Sequence, residues 1–218
     1  MRVLLLTDIH GEVDKLERIL SIEEYDTVLC AGDLSDASNF ESYEENLDKI
    51  LDAFDRKGKL VKAVPGNMDV EDVAVKKLID YRMNLHKNIA SFEDFEVVGF
   101  GGARTPFNTY FEPEEEEIKT TLDTLYSRMQ SDNRLAVIHN PPKGARVDLT
   151  EEENVGSDEV RELVASKEFK LVLTGHVHEA RGKERIGGTL VVNPGPVSEG
   201  FYAVADIEDR SEVEMKQV

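Results

Sequence analysis

Five short apolar runs, each giving way to residues able to bind a metal, constrain this chain more than any other feature. The runs are Val3–Leu6, Thr27–Ala31, Leu60–Val64, Leu135–Ile138 and Leu171–Thr174. Each has strand length. Between them lie helical periodicities: Val13, Leu16, Ile19 and Leu20 form one face, Leu47, Ile50, Leu51 and Phe54 another, and Val160, Leu163 and Val164 a third. Strands that alternate with helices imply βαβ units and buried strands. The later part of the chain differs. Ala180–Ile186, Leu190–Val192, Tyr202–Ile207 and Val213–Lys216 read as strands with short links, Gly187-Gly188 marks a hairpin turn, and Glu96–Phe100 is one more strand. The acidic run Glu114–Glu117 precedes Ile118, Leu122, Leu125 and Met129, an amphipathic helix with acids in the first turn, where the helix dipole favours them. The expected architecture is α/β: a four-layer αββα sandwich of two facing mixed sheets, one mostly fed by helices and one ending in a meander, with helices outside. It spans residues 1–218 as a single domain.

The polar residues after each apolar run carry the chemistry. The first run leads into Asp8-Ile9-His10-Gly11, the second into Gly32-Asp33, and the third into Gly66-Asn67-Met68-Asp69. The fourth leads into His139-Asn140 and the fifth into Gly175-His176-Val177-His178. Ligands of open α/β sheets bind beyond the carboxyl ends of the strands. Five strand ends in one row would bring these groups together. Four of the five histidines sit at such ends, beside Asp8 and Asp33. The fifth, His86, has no acidic partner nearby in sequence and is read as structural. The donors are oxygen and imidazole without thiolate, which suits Mn, Fe, Zn, Ni or Co rather than a structural zinc site. Asp8, His10, Asp33, Asn67, His139, His176 and His178 are too many for one ordinary ion and enough for two sharing a carboxylate. Two ions about 3.5–4 Å apart can clamp a phosphoryl group and lower the pKa of a bound water.

Composition narrows the partners. A net charge of −19 opposes binding to long nucleic acid, which would be repelled. No run of about 18 apolar residues calls for a membrane span, and the N-terminal stretch lacks the pattern of a signal peptide. With one cysteine, Cys30, no internal disulfide forms, and a reducing cytoplasm fits. The expected partner is a small phosphate-ester substrate. Composition leaves the oligomeric state open.

The order Asp-x-His, Gly-Asp, Gly-Asn-x-Asp, His and Gly-His-x-His, from Asp8 to His178, resembles the calcineurin-like metallophosphoesterase superfamily. The opening Thr-Asp-Ile-His-Gly, Gly101-Gly102 after a strand and Asn193-Pro194-Gly195 resemble its small, mostly prokaryotic Icc-like branch. The resemblance implies the same αββα sandwich and hydrolysis of phosphodiesters by in-line attack of a water bridging two divalent ions, with manganese favoured. It implies that Asp8, His10 and His178 hold one ion, that Asn67, His139 and His176 hold the other, and that Asp33 bridges them. Asp33, Asn67 and His139 are thereby assigned to catalysis. Arg104, after Gly101-Gly102-Ala103, and Asn140 are candidates for the substrate, and Asn193 for the pocket wall.

One departure stands out. Many members of that superfamily place a His after the Gly-Asn pair, oriented by the following acid, as proton donor to the leaving group. Here the position is Met68, which cannot donate, and Asp69 has no imidazole to orient. The competing reading is a partner-binding scaffold with little turnover, like the retromer-subunit branch of this fold. Members of that branch have lost part of the site, whereas this chain retains all seven ligands.

Overall fold

The computed structural model describes residues 1–93, 95–207 and 212–218. Eleven strands and five α-helices are formed among them. In chain order these are β1 (Arg2–Leu6), α1 (Val13–Ile22), β2 (Thr27–Cys30), α2 (Tyr43–Asp55), β3 (Leu60–Ala63) and α3 (Glu71–Asp80). There follow β4 (Asn88–Ser91), β5 (Glu96–Phe100), α4 (Glu115–Arg128), β6 (Arg134–Ile138), α5 (Asp158–Ser166) and β7 (Leu171–Leu173). The chain continues with β8 (Gly182–Ile186), β9 (Thr189–Asn193), β10 (Phe201–Asp206) and β11 (Glu212–Gln217). No helix among the described residues is long and apolar enough to cross a membrane.

The strands form two sheets. One runs β11-β10-β1-β2-β3 and the other β4-β5-β6-β7-β9-β8. β1, β2 and β3 are mutually parallel, as are β5, β6, β7 and β9. The outer strands β4 and β8 pair antiparallel with their neighbours, and so do both pairings of β10. Two expectations change here. The five metal-bearing strand ends do not form one row: three belong to the first sheet and two to the second. The closing strands are not one meander either. The β8–β9 hairpin extends the second sheet while β10 and β11 extend the first, and Ala180 lies in a 3₁₀ turn before β8.

The two-residue period of each strand sorts its side chains between layers. On β1, Val3 and Leu5 face the other sheet. There they meet Leu29, Leu135, Val137, Leu171, Leu173, Val192 and Ala203 in an inter-sheet core. Leu4 and Leu6 turn outward onto Leu16, Ile19, Leu47, Ile50 and Phe54 of α1 and α2, with Ala74 and Leu78 of α3 in the same cluster. On the far side, Ile118, Leu122 and Leu125 of α4 and Val160, Leu163 and Val164 of α5 cover Val98, Ala136, Ile138 and Val172. The result is the expected αββα sandwich. Each fully buried Leu or Val contributes roughly 1.5–3 kcal/mol relative to exposure. The acids Glu115, Glu116 and Glu117 occupy the first turn of α4, where the helix dipole favours negative charge.

Candidate metal centre

The parallel strands of each sheet end on one edge, and the loops beyond them are stitched across both sheets. Asp8 N–H donates to Gly32 O at 2.9 Å and His10 N–H to Asp33 O at 2.9 Å, continuing the β1–β2 pairing past the strands. From the second sheet, His176 N–H reaches the Asp8 carboxylate at 3.2 Å, and His139 Nδ1 lies 2.5 Å from Ala31 O. A ring nitrogen bound to a backbone carbonyl leaves the other nitrogen, Nε2, to face the site.

All seven candidate ligands converge there. Asp8, His10 and His178 present donor atoms within 4.8 Å of one another, and so do Asp8, Asp33 and His139. His10 Nε2 and His178 Nε2 are 3.1 Å apart. Asn67 Oδ1 is 3.0 Å from His139 Nε2 and 2.8 Å from His176 Nδ1. Asp33 Oδ2 lies 3.8 Å from His10 Nε2 and 3.5 Å from His139 Nε2, in reach of one ring from each group. The donor set is imidazole, carboxylate and amide oxygen crowded face to face. That chemistry fits divalent cations of the borderline class.

The backbone is bent to achieve this. Seven non-glycine residues among those described have positive φ, and four of them are candidate ligands: Asp8 (52°), His10 (48°), Asp33 (49°) and His176 (72°). Such conformations cost about 1–3 kcal/mol each and gather where function over-determines them. Two glycines allow the close approach. A Cβ on Gly66 would overlap Asp33, and one on Gly175 would collide with Thr7 Oγ1 and lie 2.8 Å from Asp8 Oδ2.

The charges complement one another. Burial would raise the Asp8 carboxyl, but the hydrogen bond with His178 and the charges of His139, His178 and His10 hold it well below the usual carboxylate range. Asp33 is likewise lowered: burial opposes ionisation, and the charge and hydrogen bond of His139 with the charge of His10 overcome it. Burial works against protonated His139 as well, yet Asp33 and Asp8 raise it to about 9. His176 is pushed down to about 4 by burial and by the charge of His139. A metal takes the neutral ring, so an ion at His139 would have to displace a proton that Asp33 and Asp8 favour.

The remaining sequence candidates separate. Met68 is half-buried and lines the cleft above the ligands, and its N–H donates to Asp33 Oδ1 at 2.7 Å. Asp69 does not face the cleft as an orienting acid. It is fully buried, with Oδ2 accepting from Leu34 N–H and Gly66 N–H at 3.0 and 2.9 Å and Oδ1 accepting from Ser35 N–H at 3.1 Å. Burial and the charge of Asp33 raise its carboxyl to about 6, with those amides pulling the other way. Arg104 lines the cleft but is paired with Glu114 at 3.0 Å. Asn140 is 1% exposed, does not line the cleft, and its Oδ1 lacks a protein partner among the described residues. Asn193 is structural: it donates to Val177 O and accepts from Gly195 N–H. His86 is also buried. It accepts from Gly101 N–H at 2.9 Å, packs on Phe100 and Phe111, and has Glu71 at 3.3 Å, an acid far from it in sequence.

The cleft above the ligands has a volume of about 690 Å³. Besides the ligands it is lined by Arg104, Thr105, Pro106, Phe107 and Thr109 of one loop and by Thr150, Glu151, Glu152, Glu153 and Val155 of another, with Val177 and Glu179. Arg104 of the first loop was already a sequence candidate, whereas the Thr150–Val155 loop escaped the sequence reading because it contains no metal-binding residue type in a strand-end position.

A family model described as metallophosphoesterase, calcineurin superfamily, matches residues 1–218. An uncharacterised protein of Methanocaldococcus jannaschii is 31% identical over 208 residues, covering 93% of this chain and 91% of its own. A crystal structure from Thermus thermophilus superposes with a TM-score of 0.81 at 19% identity, covering 99% of this chain and 98% of its own. A dimetal phosphatase from Danio rerio superposes with a TM-score of 0.73 at 14% identity, covering 100% and 96%. These two structural likenesses bear on the fold.

Proposed function

Because this chain belongs to the calcineurin superfamily of metallophosphoesterases, it is a metal-dependent phosphoester hydrolase, and we propose that it acts on phosphodiesters with two divalent ions. Asp8, His10 and His178 hold one ion, Asn67, His139 and His176 the other, and Asp33 reaches both. The observation that carries this reading is the placement of Asp33, whose Oδ2 is within 4 Å of one imidazole from each group. Manganese is the favoured metal, and Fe, Ni, Co or Zn suit the same donors. The ions, when bound, supply charge neutralisation of the phosphoryl oxygens and a hydroxide at neutral pH.

The chain's own groups do the rest. Asp8 and Asp33 stay ionised and set the charge of the centre, and Asn67 adds a neutral oxygen. The cleft accepts a small substrate, and a net charge of −19 turns away long nucleic acid. A reducing cytoplasm is the compartment that fits a lone buried Cys30. Convergence of all seven donors weighs against the scaffold alternative. Metal-free protein titrated with Mn²⁺ is expected to bind close to two equivalents by elemental analysis, with hydrolysis of bis(p-nitrophenyl) phosphate rising in step. A ratio near zero would overturn the assignment, and two bound ions without turnover of any diester would favour the scaffold.

Met68 leaves the site without the usual proton donor. Aryl diesters, whose phenolate leaves without a proton, are therefore the better substrates. A positioned general acid contributes about 10²–10⁴-fold. With Asp69 committed to backbone amides, an imidazole at this position has no partner to fix it. Met68→His is accordingly expected to raise rates on alkyl esters by less than about 10²-fold, and on nitrophenyl esters hardly at all. The measurement is the slope of log kcat/KM against leaving-group pKa in both proteins. An equal, shallow slope in the two would point to another donor already in place.

A further inference from the structure

The loop between β5 and α4 is built to present one aromatic ring. Glu112 Oε1 accepts from Thr105 Oγ1 at 2.6 Å, Thr109 N–H at 2.6 Å and Thr109 Oγ1 at 2.8 Å, drawing the loop closed on itself. Phe107 N–H donates to Thr105 Oγ1 at 3.1 Å, and Asn108 takes a left-handed turn with φ 53°. Phe107 therefore stands at the tip, 81% exposed, while still lining the cleft. The loop is also tied to the centre. Tyr110 N–H and Phe111 N–H both donate to the backbone oxygen of Asn67, at 3.0 and 3.1 Å. Phe40 is comparably exposed, but Phe107 alone of the two lines the cleft, on a braced loop that holds its ring where an entering substrate would meet it.

The rest of the lining says what kind. Glu151, Glu152, Glu153 and Glu179 are acidic, and Arg104, the one Lys or Arg lining the cleft among the described residues, is already paired with Glu114. Beyond the metal centre the cleft therefore meets a second phosphate with four carboxylates and, among the described residues, with no Lys or Arg that is not already in an ion pair.

Resting on the phosphodiesterase reading above, we propose that Phe107 is a specificity-determining residue. It stacks on the arm of the phosphodiester that is not expelled, and selects substrates in which that arm is flat, apolar and free of further phosphate. Glu112 is the positioning residue for the ring. In each turnover the oxygen of a water bonds to phosphorus, the P–O bond to the leaving arm breaks with its electron pair going to that arm's oxygen, the water's proton passes to solvent, and the retained arm stays as a phosphomonoester.

The test compares bis(p-nitrophenyl) phosphate with methyl p-nitrophenyl phosphate, on wild-type protein and on Phe107→Ala, both loaded with Mn²⁺. Both esters are monoanionic diesters that release nitrophenolate and differ in the retained arm. Comparing the two proteins cancels the intrinsic reactivity of the esters. Phe107→Ala is expected to lower the aryl-to-methyl ratio of kcat/KM by about tenfold, the size of one stacking contact. The change should appear mainly in KM, since the arm does not react, and Phe107→Tyr should restore the ratio. An unchanged ratio with both esters turned over overturns this inference alone. Hydrolysis of neither ester removes the phosphodiesterase reading and this inference with it. For the acidic wall, the p-nitrophenyl ester of thymidine 5′-phosphate is expected to outperform its 3′-phosphorylated counterpart. Replacing Glu151, Glu152 and Glu153 by Gln should narrow that gap. Equal kcat/KM for the two thymidine esters would overturn the exclusion of a second phosphate.

Discussion

Replacing Asp33 by Asn is expected to lower kcat on bis(p-nitrophenyl) phosphate by about 10³-fold, the upper range for loss of one preorganised charge-stabilising group. The carboxylate sits where both groups of donors can share it, and an amide brings no charge to either. The same variant should bind fewer than two equivalents of Mn²⁺. It should still fold, because the amide oxygen can accept the Met68 N–H that Asp33 Oδ1 accepts now at 2.7 Å. Activity and metal content are measured on one preparation, with circular dichroism as the check on folding. Wild-type turnover with two bound ions would show that Asp33 does not bridge.

The second large effect falls on stability. Asp69→Ala leaves three buried backbone N–H groups, those of Leu34, Ser35 and Gly66, without their acceptor. It also removes the carboxylate that Tyr43 Oη meets at 3.4 Å while accepting from Val70 N–H. An orphaned buried amide costs about 1–3 kcal/mol, so the variant is expected to be destabilised by roughly 3 kcal/mol or more. Urea unfolding in the presence of a chelator measures this free of metal binding, through the midpoint at constant slope. Asp69 clamps the turn bearing Asp33 to the turn bearing Asn67. The affinity for Mn²⁺ should therefore weaken in the folded variant as well. A midpoint within experimental error of the parent would show that water or rearranged backbone replaces the carboxylate.

Legibility in the sequence followed burial. β1, β2, β6 and β7 are covered on both faces, so their apolar character is nearly continuous and survives without any partner in view. β4 is an edge strand of half-buried and exposed residues, and α3 buries just Ala74 and Leu78, so neither left a pattern to read. The convergence of the candidate donors was legible because each follows a strand whose end is marked by its own apolar run. Which sheet each strand joins was not, since two parallel strands in one sheet and two in different sheets read alike. Asp69 shows the same limit at residue scale. Its place beside Asn67 suggests a role in the site, but its partners Leu34 and Ser35 lie far back in the chain, and long-range hydrogen bonds leave no local trace. The Thr150–Val155 lining was hidden for a related reason: nothing local in the sequence ties it to Arg104 and the Thr105–Thr109 loop, which line the same cleft.

The position of β1 has a consequence for the order in which the site is assembled. β1 lies between β2 and β10, and beyond it Val197 N–H and Ser198 N–H close on the carbonyls of Thr7 and Asp8 at 3.0 and 3.1 Å. The first ligands to leave the ribosome thus depend on contacts made by residues synthesised nearly two hundred positions later. His10 waits for His178, and Asp8 for His176. Contacts of such sequence separation slow folding, because loop closure comes before the contacts that reward it. A nascent chain that has made β1 through β7 carries most of its ligands but has neither β9 nor β10 to seat their strands. Assembly of the candidate metal centre is consequently expected late in folding, after β9 and β10 have joined their sheets.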